Sequence, residues 1–251
     1  MDIWKIINNK AVRILFQPIY DLKEESIVGY EALARGPEGS PVEGASRLFQ
    51  AAKEEGLKEK LEMVCFRNAV KEFRAKLNHN GKHLFLNLHP ETFVNNCSEV
   101  LEFLEGMYEK TVLEISEASS EIRCVTNCLN RVKEAGVRVA LDDIGAGDRS
   151  LANLCEFRAD FFKIDRSIIQ GLTRVKSGDA GYYRALLKLF ADFAARVGVE
   201  VIAEGVETKN QLLDTLTAGV YLIQGYYFSK PRPADFWIFS GNGVKERRVA
   251  E

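Results

Sequence analysis

Short apolar runs recur along this chain, and nearly every one stops on a polar side chain. YEALAR carries Glu31 near the close of a strand-like stretch, HLFLNLHP carries Asn87, and VLEISE carries Glu114. VRVALDDIG ends on Asp142 and Asp143, and VEVIAEGVE carries Glu204 and Glu207. DFFKID adds Lys163 and GVYLIQG adds Gln224. Runs this apolar suit strands buried on both faces, as parallel strands are. A fold that gathers the ends of its parallel strands at one rim would bring all these groups together. Six carboxylates facing one lysine cannot all stay ionised unaided, because like charges at short range raise one another's pKa values. Divalent metal is the expected counter-charge.

Helical spacing fills the gaps between the runs. The pattern predicts a short amphipathic start over Asp2–Asn9, then two strands, RILFQPIYD and SIVGYEALAR, joined by the turn DLKEE. So short a connection makes that pair antiparallel. GPEGSPVEG reads as a loop, and helices are expected over Ser46–Glu55 and Leu57–Leu77. In the second of these, Leu61, Val64, Cys65, Ala69 and Phe73 fall near one face. Strand and helix then alternate, with helices expected over Glu99–Tyr108, Glu121–Ala135, Ser150–Cys155, Tyr182–Val197 and Asn210–Leu216. TRVKSGDAG reads as an extended loop before the fourth of them. An open doubly wound sheet would concentrate its ligand at one switch point. Here almost every strand end offers a polar group, which suits the C-terminal rim of a barrel. The expected fold is α/β: a TIM-like (β/α)8 barrel with one antiparallel strand near its N-terminus.

Composition narrows the partners. At 251 residues the chain suits one barrel of ordinary size, and 46% hydrophobic with 28% charged residues describes a globular protein with ample core. A net charge of −2 without a basic block excludes a DNA or RNA duplex as the expected partner. No run approaches the ~18 apolar residues of a membrane span. The start lacks a basic n-region and a small-residue cleavage site, so the expected location is cytoplasmic. Five cysteines and three histidines show no zinc-ligand spacing; the thiols are expected reduced, and His89 is expected to be a loop residue.

Seven blocks in order, YEALARG, FLNLHP, LEISE, LDDIGAG, FKIDRS, IAEGVET and IQGYYFSKP, resemble the signature blocks of the EAL domain. That family comprises bacterial phosphodiesterases that open cyclic di-GMP to the linear dinucleotide pGpG. The resemblance runs over a motif-bearing core of about residues 13–233 and implies a single domain over 1–251. By resemblance, Glu31, Asn87, Glu114 and Asp142 would hold one divalent ion. Asp142 would bridge to a second, held also by Asp143 and Glu204. Lys163 matches the lysine that contacts the attacking water, with Glu204 and Glu207 supporting the catalytic network. Arg35 matches an arginine that meets a substrate phosphate; Gln17, Leu33 and Gln224 match positions along the substrate groove. Glu117 matches a glutamate that steadies the loop after Asp142 and Asp143, a loop that in the family also joins dimer contacts. A homodimer is therefore an expectation by resemblance alone.

The donor chemistry agrees with that implication. Hard carboxylate and amide oxygens, with no thiolate or imidazole among them, select Mg²⁺ or Mn²⁺ over zinc or copper. Two such ions can clamp the attacking and leaving oxygens of an in-line displacement at phosphorus by an activated water. A lysine beside this much negative charge stays protonated, so it is no free general base. Arg35 carries a guanidinium fork suited to phosphate oxygens.

The chain departs from the family where the usual D-D-F-G-T-G-Y-S block reads DDIGAGDR. Ile144, Ala146 and Asp148 replace Phe, Thr and Tyr, while Gly145 and Gly147 remain. The altered loop leaves open an alternative, a cyclic di-GMP receptor that keeps the pocket and turns over poorly.

Overall fold

The computed structural model describes residues 2–78, 81–116, 122–146, 153–173 and 180–239. Eight strands close into a barrel in sequence order. They are β1 (Arg13–Asp21), β2 (Ser26–Arg35), β3 (His83–Asn87), β4 (Thr111–Ser116), β5 (Arg138–Ile144), β6 (Phe161–Ile164), β7 (Glu200–Ala203) and β8 (Leu222–Ile223). β1 runs antiparallel to both neighbours, β2 and β8, and the remaining pairs are parallel. The expected barrel with one reversed strand is therefore the observed one.

The two-residue period of a strand sorts side chains into two cores. Ile19, Phe85, Val112, Ala140, Phe161, Ile202 and Leu222 form one apolar cluster, a plug contributed by seven strands. The eighth, β2, supplies Gly29, where an added Cβ would lie 2.7 Å from the Phe85 ring and 2.6 Å from the His83 carbonyl. The phenyl ring thus takes the volume a side chain would need. Residues of opposite parity, such as Leu84, Leu86, Leu113, Val139, Leu141 and Phe162, belong to the larger core beneath the helices. Each buried Phe, Leu or Ile of either core contributes about 2 kcal/mol of hydrophobic stabilisation.

The helices clothe the outside. α1 (Ile3–Asn8) starts on Asp2, whose carboxylate accepts from the Lys5 N–H. α2 (Ala45–Glu54) and α3 (Lys58–Lys76) follow β2. α3 buries Leu61, Val64, Ala69 and Phe73 as the spacing predicts, with Cys65 half-buried. Beyond β3 the chain forms α4 (Pro90–Asn95), which the spacing did not reveal, and the helix expected over Glu99–Tyr108 is the earlier and shorter α5 (Cys97–Phe103). Proline at the first position suits a helix start, and Gly106 at φ +75° turns the chain before residue 108. α6 (Ile122–Glu134) and α7 (Asn153–Glu156) flank β5. α8 (Arg166–Gly171), which the apolar pattern did not reveal, is capped by Asp165 accepting from the Ser167 N–H at 2.9 Å. α9 (Ala180–Val197) and α10 (Lys209–Thr217) match their expectations within a residue or two. α11 (Ala234–Phe239) closes the described chain, and Trp237 Nε1 donates to the Phe16 carbonyl of β1 at 3.0 Å. Glu117, Gly147 and Asp148 lie outside the described residues.

Candidate active site

Two residues beyond each plug residue, toward the C-terminal rim, stands a polar one. Phe85 is followed by Asn87, Val112 by Glu114, Ala140 by Asp142 and Phe161 by Lys163. Ile202 is followed by Glu204, Leu222 by Gln224 and Gly29 by Glu31. β1 runs the other way, so Gln17 precedes Ile19 and pairs in register with Glu31. The same inward face changes from apolar to polar in all eight strands at one level. That layer is the site.

Lys163 sits at its centre, 1% exposed. Its Nζ lies 2.6 Å from Glu204 Oε1, 2.7 Å from Glu114 Oε1, 3.2 Å from Asp142 Oδ1 and 3.8 Å from Glu31 Oε2. One ammonium thus faces four carboxylates. Burial alone would lower the lysine pKa, but Asp142, Glu114, Glu204 and Glu31 outweigh it and hold it well above the ordinary value. The acids carry the uncompensated charge. Burial, then Glu31, pushes Glu114 well above the usual carboxylate range, against the pull of Lys163. Asp142 is raised by burial too, and Glu204 is pushed up to about 8 by burial first.

Glu31 is held differently. Asn87 Nδ2 donates to its Oε1 at 2.7 Å and Gln224 Nε2 to its Oε2 at 2.5 Å. Gln224 Nε2 also lies 3.4 Å from Gln17 Oε1, and Gln17 Nε2 donates to the Ser229 carbonyl at 3.1 Å. Asp143 reaches the acids through its backbone. Neighbours on a strand point to opposite faces, yet Asp143 adopts φ +59° where the register between β5 and β6 shifts. Its N–H donates to Asp142 Oδ1 at 2.9 Å, and Ser116 Oγ lies 3.4 Å from its Oδ2. As a result oxygens of Asp142, Asp143 and Glu204 lie within 4.8 Å of one another, a group that could hold a metal ion.

The donor set fits a hard divalent cation. Oε1 of the buried Glu114 is paired with the Lys163 ammonium while its Oε2 accepts no hydrogen bond among the described residues, and the single lysine leaves the acids in excess. The neighbouring donors are carboxylate and amide oxygens throughout.

Other expected residues lie apart from this cluster. Glu207 is exposed, and its N–H donates to Gln211 Oε1 at 2.9 Å; its carboxylate makes no hydrogen bond or ion pair among the described residues. Leu33 and Arg35 are half-buried farther along the same face of β2, with Arg35 Nη1 donating to the Ala34 carbonyl at 2.7 Å. His89 is exposed and precedes α4. Sequence reasoning passed over Gln211, which is buried and ties the turn bearing Glu207 to α10 through a capping box with Thr208. The T-x-x-Q spacing was a readable signal.

Fold and site together define a (β/α)8 barrel with an acid-lined mouth at the carboxyl ends of its strands. A sequence profile of the EAL domain matches residues 3–231, and the chain belongs to that family. It is 29% identical over 243 residues to the probable cyclic di-GMP phosphodiesterase PdeB of Escherichia coli, covering 92% of this chain and 45% of PdeB. The chain spans less than half the length of the first curated relatives it matches. A crystal structure of an EAL domain protein from Listeria monocytogenes superposes with a TM-score of 0.81 at 23% identity, covering 94% of each chain. BlrP1 of Klebsiella pneumoniae, solved with manganese and cyclic di-GMP, superposes with a TM-score of 0.77 at 23% identity, over 88% of this chain and 56% of BlrP1. At such identities the likeness is one of fold. Among the described residues no helix is long and apolar enough to cross a membrane.

Proposed function

We propose that this chain is a metal-dependent phosphodiesterase that hydrolyses cyclic di-GMP to linear pGpG. The observation that carries the reading is the excess of carboxylate at the barrel mouth, where four acids surround one buried lysine. Family membership and the phosphodiesterase named among its relatives support the substrate. BlrP1, solved with manganese, supports the choice of Mg²⁺ or Mn²⁺.

Glu31, Asn87, Glu114 and Asp142 would hold one ion, and Asp142, Asp143 and Glu204 a second. When bound, such ions polarise a phosphoryl oxygen and make water acidic enough to attack at neutral pH. Lys163 donates toward that water and orients it; as an ammonium held charged by its neighbours it is not the base. Glu204 and Glu207 accept from the same water network, Glu207 from the turn after β7. Arg35 offers a guanidinium fork to a phosphate, and Gln17, Leu33 and Gln224 line the groove that receives the dinucleotide. Water would attack one phosphorus in line, its oxygen forming a new P–O bond as the bond to the ribose O3′ breaks. The proton lost by the water is balanced by one gained at the leaving O3′, so that the ring opens to pGpG. We take residues 1–251 as one domain with its core over about 13–233, and a homodimer as its assembly.

Purified protein supplied with Mn²⁺ or Mg²⁺ is expected to release pGpG, and Glu31→Ala to abolish release. Absence of turnover with either ion across a range of pH overturns the enzyme reading. Tight binding of cyclic di-GMP without product would instead mark a receptor.

A further inference from the structure

We propose that Lys163 is an internal counter-ion that competes with divalent cations for the carboxylates of the barrel mouth and thereby sets how tightly they bind. The inference rests on the reading above that these acids hold such ions. The ammonium lies within 4 Å of Glu31, Glu114, Asp142 and Glu204. Those four side chains supply oxygens to both proposed ion sites, so lysine and metal draw on one set of donors.

The charge is held in place by burial and pairing. Lys163 lies within β6, next to the register pair Phe162 and Val201, and is itself paired with Ile202 of β7. The plug residue Phe161 lies two positions below on the same strand face. With 1% of the residue exposed, the side chain is enclosed among the acids it pairs with. An incoming cation therefore binds beside a resident positive charge, inside low-dielectric walls where charges act strongly on one another. An ammonium presents three donors to three acceptors. A divalent ion brings twice the charge and takes more oxygens, so it can bind where a monovalent ion gains too little. Lys163 thus keeps the mouth selective for divalent ions and keeps their affinity low enough for exchange.

Calorimetric titration with Mn²⁺, in the absence of nucleotide, tests this. K163M keeps an unbranched side chain one atom shorter and removes its charge, and should bind Mn²⁺ at least tenfold more tightly than wild type. K163R keeps the charge and should stay within about threefold of wild type. K163Q, a neutral polar side chain that keeps an N–H donor, should tighten like K163M and serves if K163M does not fold. Unchanged or weaker Mn²⁺ binding by the neutral variants overturns the proposal, as does equal tightening in K163R. Wild type that forms pGpG while the neutral variants fail to tighten removes the counter-ion role and leaves the phosphodiesterase reading intact. Wild type that binds no Mn²⁺ removes both.

Discussion

Gln224 Nε2 lies 2.5 Å from Glu31 Oε2, joining the far end of the barrel sequence to its second strand across 193 residues. The same nitrogen approaches Gln17, and Asn87 takes the other Glu31 oxygen. Two amides thus set the rotamer of the glutamate that names this family.

Gln224→Leu removes that donor and leaves a buried carboxylate oxygen short of a partner, a change that costs about 1–3 kcal/mol. In a barrel of this size that lowers the melting temperature by roughly 2–10 °C. With Glu31 free to turn, Mn²⁺ affinity should fall about tenfold in calorimetry. An unchanged affinity would show that the amide does not position the carboxylate.

Stability of the metal-free protein should fall with rising pH. Burial raises Glu204 from 4.5 to about 8, so the folded state keeps a proton that the unfolded chain has already released. Its contribution is complete below pH 4.5 and is lost as pH rises through about 8. His83 works in the opposite sense. Burial, then Arg138, lowers it from 6.5 to about 4, so its contribution is present above pH 6.5 and lost as pH falls through about 4. Between pH 7 and 8 the histidine no longer contributes to the change and the raised acids dominate. The melting temperature should drop across that window, Glu204→Gln should flatten the drop, and saturating Mn²⁺ should reverse it. A flat curve for metal-free wild type would contradict the assignment.

Asp143 separates backbone from charge. Its left-handed φ of +59° is one that asparagine tolerates and a β-branched residue does not. Asp143→Asn should leave chemical stability within about 0.5 kcal/mol while weakening Mn²⁺ binding and turnover at least tenfold. Asp143→Val should lose both, with about 1–2 kcal/mol of added strain visible in urea unfolding. Equal stability of the two variants would show that the turn bears no strain.

Gly225 permits a close approach of two backbones. A Cβ there would stand 2.0 Å from the Val206 carbonyl oxygen and 2.4 Å from its nitrogen. Around it, the Val206 N–H donates to the Gln224 carbonyl at 3.2 Å, and the Tyr227 N–H to the Val206 carbonyl at 3.0 Å. Gly225→Ala should cost about 2–3 kcal/mol in urea unfolding. It should also reduce turnover by displacing Gln224. Wild-type stability in this variant would mean the loops part easily.

Much of this was legible from residue pattern. Strand positions, the reversed first strand and the acids at strand ends follow from a two-residue period that short-range sterics enforce. Helices with long apolar faces, such as α3 and α9, were equally plain. What the pattern left out has local causes. α8 and α11 have six residues each, fewer than two turns, too few for a period of 3.6 to declare itself. The split between α4 and α5 turns on the backbone at Asn96, which ends one helix and begins the next. Glu207, three residues after Glu204, lies in the loop before α10, where strand parity no longer says which way a side chain points.

The sequence by itself determined which residues share a face of each strand, and hence that one face carries an apolar step followed by a polar one. It also determined the excess of acid over base on that face. Only the tertiary structure decided that the faces curl inward on one another, because closure needs the hydrogen bonds between β1 and β8 that no local pattern encodes. That closure sets Gln17 beside Gln224 and seats one lysine among four carboxylates. Charges spread over 174 positions of chain, from Glu31 to Glu204, become a single electrostatic centre once the ring is shut.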